Sequence, residues 1–107
     1  MLSDILEHGH GVKRPVFFGG IGGIGVSGVA KILWHEGHPA SGSDQKVSPV
    51  TDELVGLGMP VAIGQCAENV PPDAALVICS AANKPGHPEI DAAHRRRIPV
   101  LKYAQVL

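Results

Sequence analysis

Cysteine is scarce in this 107-residue chain: Cys66 and Cys79 stand thirteen apart, with no CxxC pair and no histidine at zinc spacing. That argues against a disulfide framework or a structural zinc site, and makes a reducing compartment the expected setting. A basic excess is also missing, because 9 Lys+Arg face 10 Asp+Glu for a net charge of -1. Nucleic-acid binders usually carry such an excess, so that class of partner is not expected. No apolar run approaches the ~18 residues of a membrane span. The first residues, Met1 to Arg14, carry acids and histidines and lack the apolar centre of a signal peptide. There is no internal repeat and no low-complexity segment. A cytoplasmic, single-domain protein without membrane contact is the expectation.

What is abundant is glycine, 14 residues, six of them between Gly19 and Gly28, in a chain that is 44% apolar. Around that stretch the pattern alternates. Pro15 to Gly19 reads as a short buried strand, followed by the glycines and then Val29, Ile32 and Leu33 at helical spacing up to His35, with Gly37 as the stop. A second strand is expected over His38 to Ser43, weakened by Pro39 and Gly42. Ser48-Pro49 opens a helix that runs through Leu54 and Leu57 to Gly58. Met59 to Ile63 is a third strand, and Ala74 to Cys79, after a Pro71-Pro72-Asp73 turn, is a fourth. His87-Pro88-Glu89 begins another helix that ends in Arg95, Arg96 and Arg97, where cations complement the helix dipole. Ile98 to Leu101 is a fifth strand. Met1 to Glu7 reads as one helical turn, His8 to Gly11 as loop, and Tyr103 to Leu107 as the first turn of a helix. The fold class is α/β: a Rossmann-like, doubly wound parallel sheet of about five strands with helices on both faces.

Gly20-Ile21-Gly22-Gly23-Ile24-Gly25 fits G-x-G-x-x-G where a strand gives way to a helix. Gly20 would permit the tight turn, Gly22 would let a diphosphate approach the backbone, and Gly25 would let the helix pack close to the strand. Backbone N–H groups of Gly22 to Gly25 would then face an anion at a helix N-terminus. Asp44, nineteen residues past Gly25, stands where an acid hydrogen-bonds a ribose hydroxyl. The plainer readings are that the glycines only permit close packing and that Asp44 caps the turn that follows it. Together the loop and the acid point to a nucleotide with a diphosphate, without saying which.

The wider pattern resembles the amino-terminal domain of the Mur ligases, and within them the L-alanine-adding ligases. The resemblance rests on Phe18 to Ala30 (FGGIGGIGVSGVA), Ser41 to Asp44 (SGSD), Thr51 to Gly58 (TDELVGLG), Ile63-Gly64-Gln65, Ala67 to Val70 (AENV), Ser80-Ala81 and Arg97 to Val100 (RIPV), in the family's order. A related ligase that recycles cell-wall tripeptide shares the plan and ranks second, since its glycine loop usually differs. The resemblance implies a domain over 15–107, after a 1–14 extension, that binds the UDP part of UDP-N-acetylmuramate. It implies that Gly22, Gly23, Ile24 and Gly25 meet the diphosphate, with Gly20 and Ser27 also among the residues that bind the UDP substrate. Ser43 and Asp44 would meet the uridine, with Gln65, Ser80 and Ala81 lining the same crevice. The family's reaction, part of peptidoglycan synthesis, joins L-alanine to the muramoyl carboxylate through an acyl phosphate made from ATP and Mg2+. The chain has no G-x-x-x-x-G-K-[ST] loop. The ATPase and C-terminal domains are therefore expected outside it, and ligation by this chain alone is not expected. Two positions depart from the family: Gln65 stands where histidine is common, and Cys79 where a second serine is.

An NAD(P)-binding domain of an oxidoreductase or regulatory sensor would explain the glycines and Asp44 equally well, but not the correlated matches elsewhere. A non-catalytic interaction module would not need the intact loop. The remaining polar features read as structural. Glu7-His8-Gly9-His10 offers too few ligands for a metal, and no catalytic triad pattern is present. His35 and His38 suit solvent or a carbonyl, His87 and His94 a helix surface, and Arg95 to Arg97 a solvated helix end. Trp34 suits packing, and Cys79 an inert buried thiol.

Overall fold

The computed structural model describes residues 14–80 and 87–103. The expectations for Met1 to Gly11, for Ala81 and for 104–107 lie outside them. The described elements run β1 (Val16–Gly19), α1 (Ile24–His35), β2 (Ala40–Asp44), α2 (Pro49–Gly56), β3 (Val61–Ile63), a 3₁₀ turn (Ala67–Asn69), β4 (Leu76–Cys79), α3 (Pro88–Arg95) and β5 (Val100–Lys102). The 3₁₀ turn is the one element the sequence pattern did not announce. Strand order is β3-β2-β1-β4-β5. Every pairing is parallel, with β1 in the middle, in register Gly19↔Ser43 on one side and Gly19↔Cys79 on the other.

A parallel sheet covered on both faces demands strands that are apolar on both sides. In β1 the alternation is direct: Val16 and Phe18 join one core with Val26, Ala30 and Leu33 of α1, Leu54 of α2 and Ile78 of β4. Phe17 faces the opposite core, with Val77, Val70, Ile98 and Ala93 of α3. Trp34 packs against the first core, as expected of it. Cys79 is buried, and its Sγ donates to the Leu101 carbonyl at 3.4 Å.

The helices differ in how their first turns are satisfied. Ser48 caps α2 in a capping box: its hydroxyl accepts from Thr51 N–H, and the Thr51 hydroxyl accepts from Ser48 N–H. His87, expected on a helix surface, caps α3 instead, its Nδ1 accepting from Glu89 N–H at 3.3 Å. His35 is exposed, whereas His38 is buried. Gly37, at φ +92°, reverses the chain so that His38 N–H reaches the Leu33 carbonyl at 3.0 Å and the ring falls inside. Of the three arginines that close α3, Arg96 donates to the Val70 carbonyl at 2.9 Å rather than standing free in solvent.

Two positions carry measurable stability. Arg97 adopts φ +58° after α3, the left-handed site that usually takes glycine. An L-residue there costs roughly 1–2 kcal/mol, offset in part by the greater unfolded-state freedom of glycine. Arg97→Gly is therefore expected to raise the urea midpoint by the equivalent of about 0.5–1 kcal/mol with the slope unchanged. Gly42 lies in β2 because a Cβ there would come within 2.6 Å of both Ile21 Cδ1 and the Phe18 carbonyl. Gly42→Ala is expected to destabilise by about 1–3 kcal/mol, the usual scale of overpacking, read in the same denaturation experiment.

Candidate functional site

The chain enters the sheet at its centre, builds outward to β3, then crosses back to place β4 on the other side of β1. The carboxyl ends of β1 and β4 therefore flank the point where strand order reverses, the place where open α/β sheets bind ligands. Gly19 and Gly20 end one of these strands and Ser80 follows the other, with Ser80 N–H donating to the Gly19 carbonyl at 3.3 Å. Gly20 turns at φ +72°, and Ser80 Oγ lies 3.1 Å from where a Cβ on Gly20 would sit. A side chain on residue 20 would thus meet both a close neighbour and a left-handed backbone that favours glycine.

From that turn the loop leads into α1, whose N-cap is Gly23. No side chain caps this helix, unlike α2 and α3. The N-terminal partial positive charge of a twelve-residue helix therefore meets no internal acceptor from its cap. Ile24, the first helical residue, is 88% exposed, so the loop opens to solvent. Ser27 is buried, and its hydroxyl donates back to the Ile24 carbonyl at 3.0 Å. Gly25 is required by a neighbour the sequence pattern did not single out. A Cβ there would run into the Tyr103 ring, which follows β5. The three atoms nearest that position all belong to this aromatic side chain.

Asp44 ends β2 and joins the loop to the rest of the edge. Its Oδ2 accepts from Gly22 N–H at 2.8 Å, and its Oδ1 accepts from Gln45 N–H at 2.7 Å. It therefore both reaches the glycine loop and caps its own turn. A Cβ on Gly22 would lie 2.6 Å from Asp44 Oδ2, so the second glycine is required by the carboxylate. Ile21 N–H donates to the Ser43 carbonyl at 2.9 Å, a second tie between loop and strand.

Ser43 itself is fully buried, and its hydroxyl donates to Glu89 Oε1 at 2.8 Å. Gln65 is half-buried beyond β3, its Oε1 accepting from Gln45 Nε2 at 3.4 Å, so it sits on the Asp44 side of the edge. Glu68, fully exposed on the 3₁₀ turn, is held below the usual carboxylate range by its own backbone N–H, with a smaller contribution from the Cys66 thiol.

The structure thus gathers Gly20, Gly22, Gly23, Ile24, Gly25, Asp44 and Ser80 around one edge, with Gln65 beside them. Ser27 and Ser43 lie beneath it, their hydroxyls spent on protein partners. Ala81 is not described. Sequence reasoning missed Glu89 and Tyr103. Glu89 shows in the sequence only as an acid in the first turn of a helix, where the dipole alone would explain it. Asn69 had a signal, its place in the AENV stretch, but no assigned role.

Comparison with known proteins agrees with this geometry. The Mur ligase family, catalytic domain, matches residues 15–107. The UDP-N-acetylmuramate–L-alanine ligase of Jannaschia sp. (strain CCS1) is 48% identical over 92 residues, covering 86% of this chain and 19% of that protein. The ligase of the same name from Syntrophotalea carbinolica is 47% identical over 98 residues, covering 92% and 21%. This chain therefore spans about a fifth of the length of these relatives. Among solved structures, UDP-N-acetylmuramate-alanine ligase from Thermotoga maritima superposes with a TM-score of 0.83 at 33% identity, covering 87% of this chain and 21% of that one. The UDP-N-acetylmuramate:L-alanyl-gamma-D-glutamyl-meso-diaminopimelate ligase from Neisseria meningitides gives 0.77 at 27% identity, covering 88% and 30%. With the family match running from the start of β1 to the last residue, the chain belongs to the Mur ligase family.

Proposed function

We propose that this chain binds the uridine diphosphate end of UDP-N-acetylmuramate, for a ligase that joins L-alanine to that substrate in peptidoglycan synthesis. The observation that carries the proposal is the uncapped N-terminus of α1 beside a carboxylate at the strand switch point. Anionic oxygens suit the first, and hydroxyl or imide donors of a nucleoside suit the second. Because Gly22 N–H already serves Asp44 and Gly23 N–H the Gly20 carbonyl, the diphosphate falls to the amides of Ile24 and Gly25. Asp44 keeps acceptor capacity for the ribose or uracil. Ser80 and Gln65 flank the two ends of that path. The alanine-adding reaction is preferred to the tripeptide-recycling one because the relatives near 48% identity carry the former name.

ATP and Mg2+, which the resemblance implies for the ligase, are not assigned to these residues. The sequence has no G-x-x-x-x-G-K-[ST] loop. Among the described residues, no group of three or more His, Cys, Asp or Glu is placed to hold a metal. We place both in the remaining four-fifths of the enzyme, together with the L-alanine site. The cytoplasm, where nucleotide-linked precursors are available, is the proposed location; no described helix is long and apolar enough to cross a membrane.

Thermal-shift titration with UDP-N-acetylmuramate, UDP and NAD in parallel tests the assignment. At about 100 times Kd, a uridine ligand is expected to add ~2.7 kcal/mol. That raises Tm by roughly 10–20 °C for a domain of this size. Stabilisation by NAD and not by UDP would give the loop to a dinucleotide instead. Asp44→Ala is expected to weaken UDP at least about tenfold, the scale of a hydrogen bond to a charged group. Inorganic pyrophosphate should bind that variant no more weakly than it binds the wild type. Calorimetry of the two ligands side by side reads the difference, and equal losses would remove Asp44 from the nucleoside half of the site.

A further inference from the structure

Glu89 is completely buried, and nothing in the reading above uses it. It enters from the first turn of α3, on the opposite side of the sheet from α1, and lies under the carboxyl edge. Its Oε1 would be 3.6 Å from a Cβ on Gly19. Its two oxygens accept from different segments. Oε1 takes the Ser43 hydroxyl at 2.8 Å, and Oε2 takes Asn69 Nδ2 at 2.9 Å. The same Asn69 amide group donates to the Gly64 carbonyl at 2.8 Å. Gly64 N–H in turn donates to the main-chain carbonyl of Asp44 at 2.8 Å.

These contacts close a ring: Glu89, Ser43, Asp44, Gly64, Asn69 and back to Glu89. Asp44 is gripped on both sides, through the residue before it and through its own carbonyl. The side chain so oriented is the one that reaches Gly22 N–H. The described partners of Glu89 are a hydroxyl and an amide, neither of them cationic, so among the described residues its desolvation is offset by these two hydrogen bonds and by the dipole of the first turn of α3. An apolar side chain could fill this site but could not tie the two arms together. The ring ties the start of α3 to the end of β2 and the loop after β3, two segments that the β2–β3 ladder already brings side by side.

We propose that Glu89 is a positioning residue: through Ser43 and Asn69 it sets the orientation of Asp44, and with it the affinity for the nucleoside half of the ligand. The inference rests on the uridine-diphosphate reading for its binding consequence, but not for its structural one. What the ring requires is two hydrogen bonds at residue 89, one to each arm. Glutamine can supply both, with its carbonyl accepting from Asn69 and its amide donating to the Ser43 hydroxyl, which then turns to accept. Alanine can supply neither.

The test uses the 107-residue chain and four variants, Glu89→Ala, Glu89→Gln, Asn69→Ala and Asp44→Ala, with UDP and inorganic pyrophosphate as probes. Glu89→Ala and Asn69→Ala are expected to weaken UDP by about five- to tenfold, the scale of one or two hydrogen bonds, while changing pyrophosphate less than about twofold. Glu89→Gln should recover most of the UDP affinity. Combined with Asp44→Ala, neither Glu89→Ala nor Asn69→Ala should weaken UDP further, because both act through the carboxylate already removed. In the absence of ligand, the Gly22 amide resonance should shift in the two ring-opening variants and stay near its wild-type position in Glu89→Gln. If Glu89→Ala does not fold, Asn69→Ala, on a partly exposed turn, carries the same comparison. Losses that add to that of Asp44→Ala, equal losses of pyrophosphate, or a Glu89→Gln variant as poor as Glu89→Ala would each overturn the proposal. A wild-type chain that ignores UDP, with ring-opening variants that still show the Gly22 shifts, would overturn the ligand assignment and leave the positioning role standing.

Discussion

A backbone N–H of the glycine loop and a carboxylate of the neighbouring strand meet at 2.8 Å, from Gly22 to Asp44, and the edge of the sheet is organised around that contact. It exists because side chains are missing on both sides of it. Gly22 leaves room for Oδ2, and Gly42 leaves room for Ile21 to lie across β2. The second tie, from Ile21 N–H to the Ser43 carbonyl, holds the loop over the strand end, so the approach does not depend on the carboxylate alone. A Cβ at Gly22 or Gly42 would push loop and strand apart by overpacking, not by any change of secondary structure.

The charges at this edge are disposed unevenly. α2 and α3 satisfy their first turns with Ser48 and His87, whereas α1 presents bare amides from an exposed start. Next to those amides stands Asp44, half-buried, while Glu89 lies wholly buried beneath the same edge. Acceptors and donors thus alternate over a short distance, which suits a ligand that is anionic at one end and rich in hydroxyl and N–H groups at the other. A bare polyanion would find the donors but would also meet the carboxylate. This is the physical content of reading the site as one for a nucleoside diphosphate rather than for phosphate alone.

Much of the fold was legible along the chain because its signals are local. Ser48-Pro49 is a helix start by its own chemistry, and the capping box is there. The apolar runs at 16–19 and 76–79 can only be strands buried on both faces. The run over 20–25 followed by Asp44 needs no partner to be recognised, since the spacing itself is the signal, although Gly22 and Gly25 answer to the side chains of Asp44 and Tyr103. Other features were illegible for an equally physical reason. Glu89 looks like any acid in the first turn of a helix; its burial depends on how α3 packs against the sheet. His38 follows a helix stop and could face either way until β2 turns it inward. Tyr103 touches Gly25 only because β5 ends beside β1's own helix, 78 residues further along the chain.

The sequence by itself determined the alternation of strands and helices, the all-parallel sheet that this alternation implies, the place of the glycine turn and the family to which the chain belongs. These follow from periodicity, backbone stereochemistry and turn residues, all of which act within a few positions of one another. Tertiary structure alone decided which polar groups are spent and which remain free. Ser43 turns to an internal partner, Gly22 N–H is committed to Asp44, and Glu89 closes a ring through Asn69. Hydrogen bonds between residues 20 to 46 positions apart depend on strand register and helix packing, and no window of the sequence contains both ends of one.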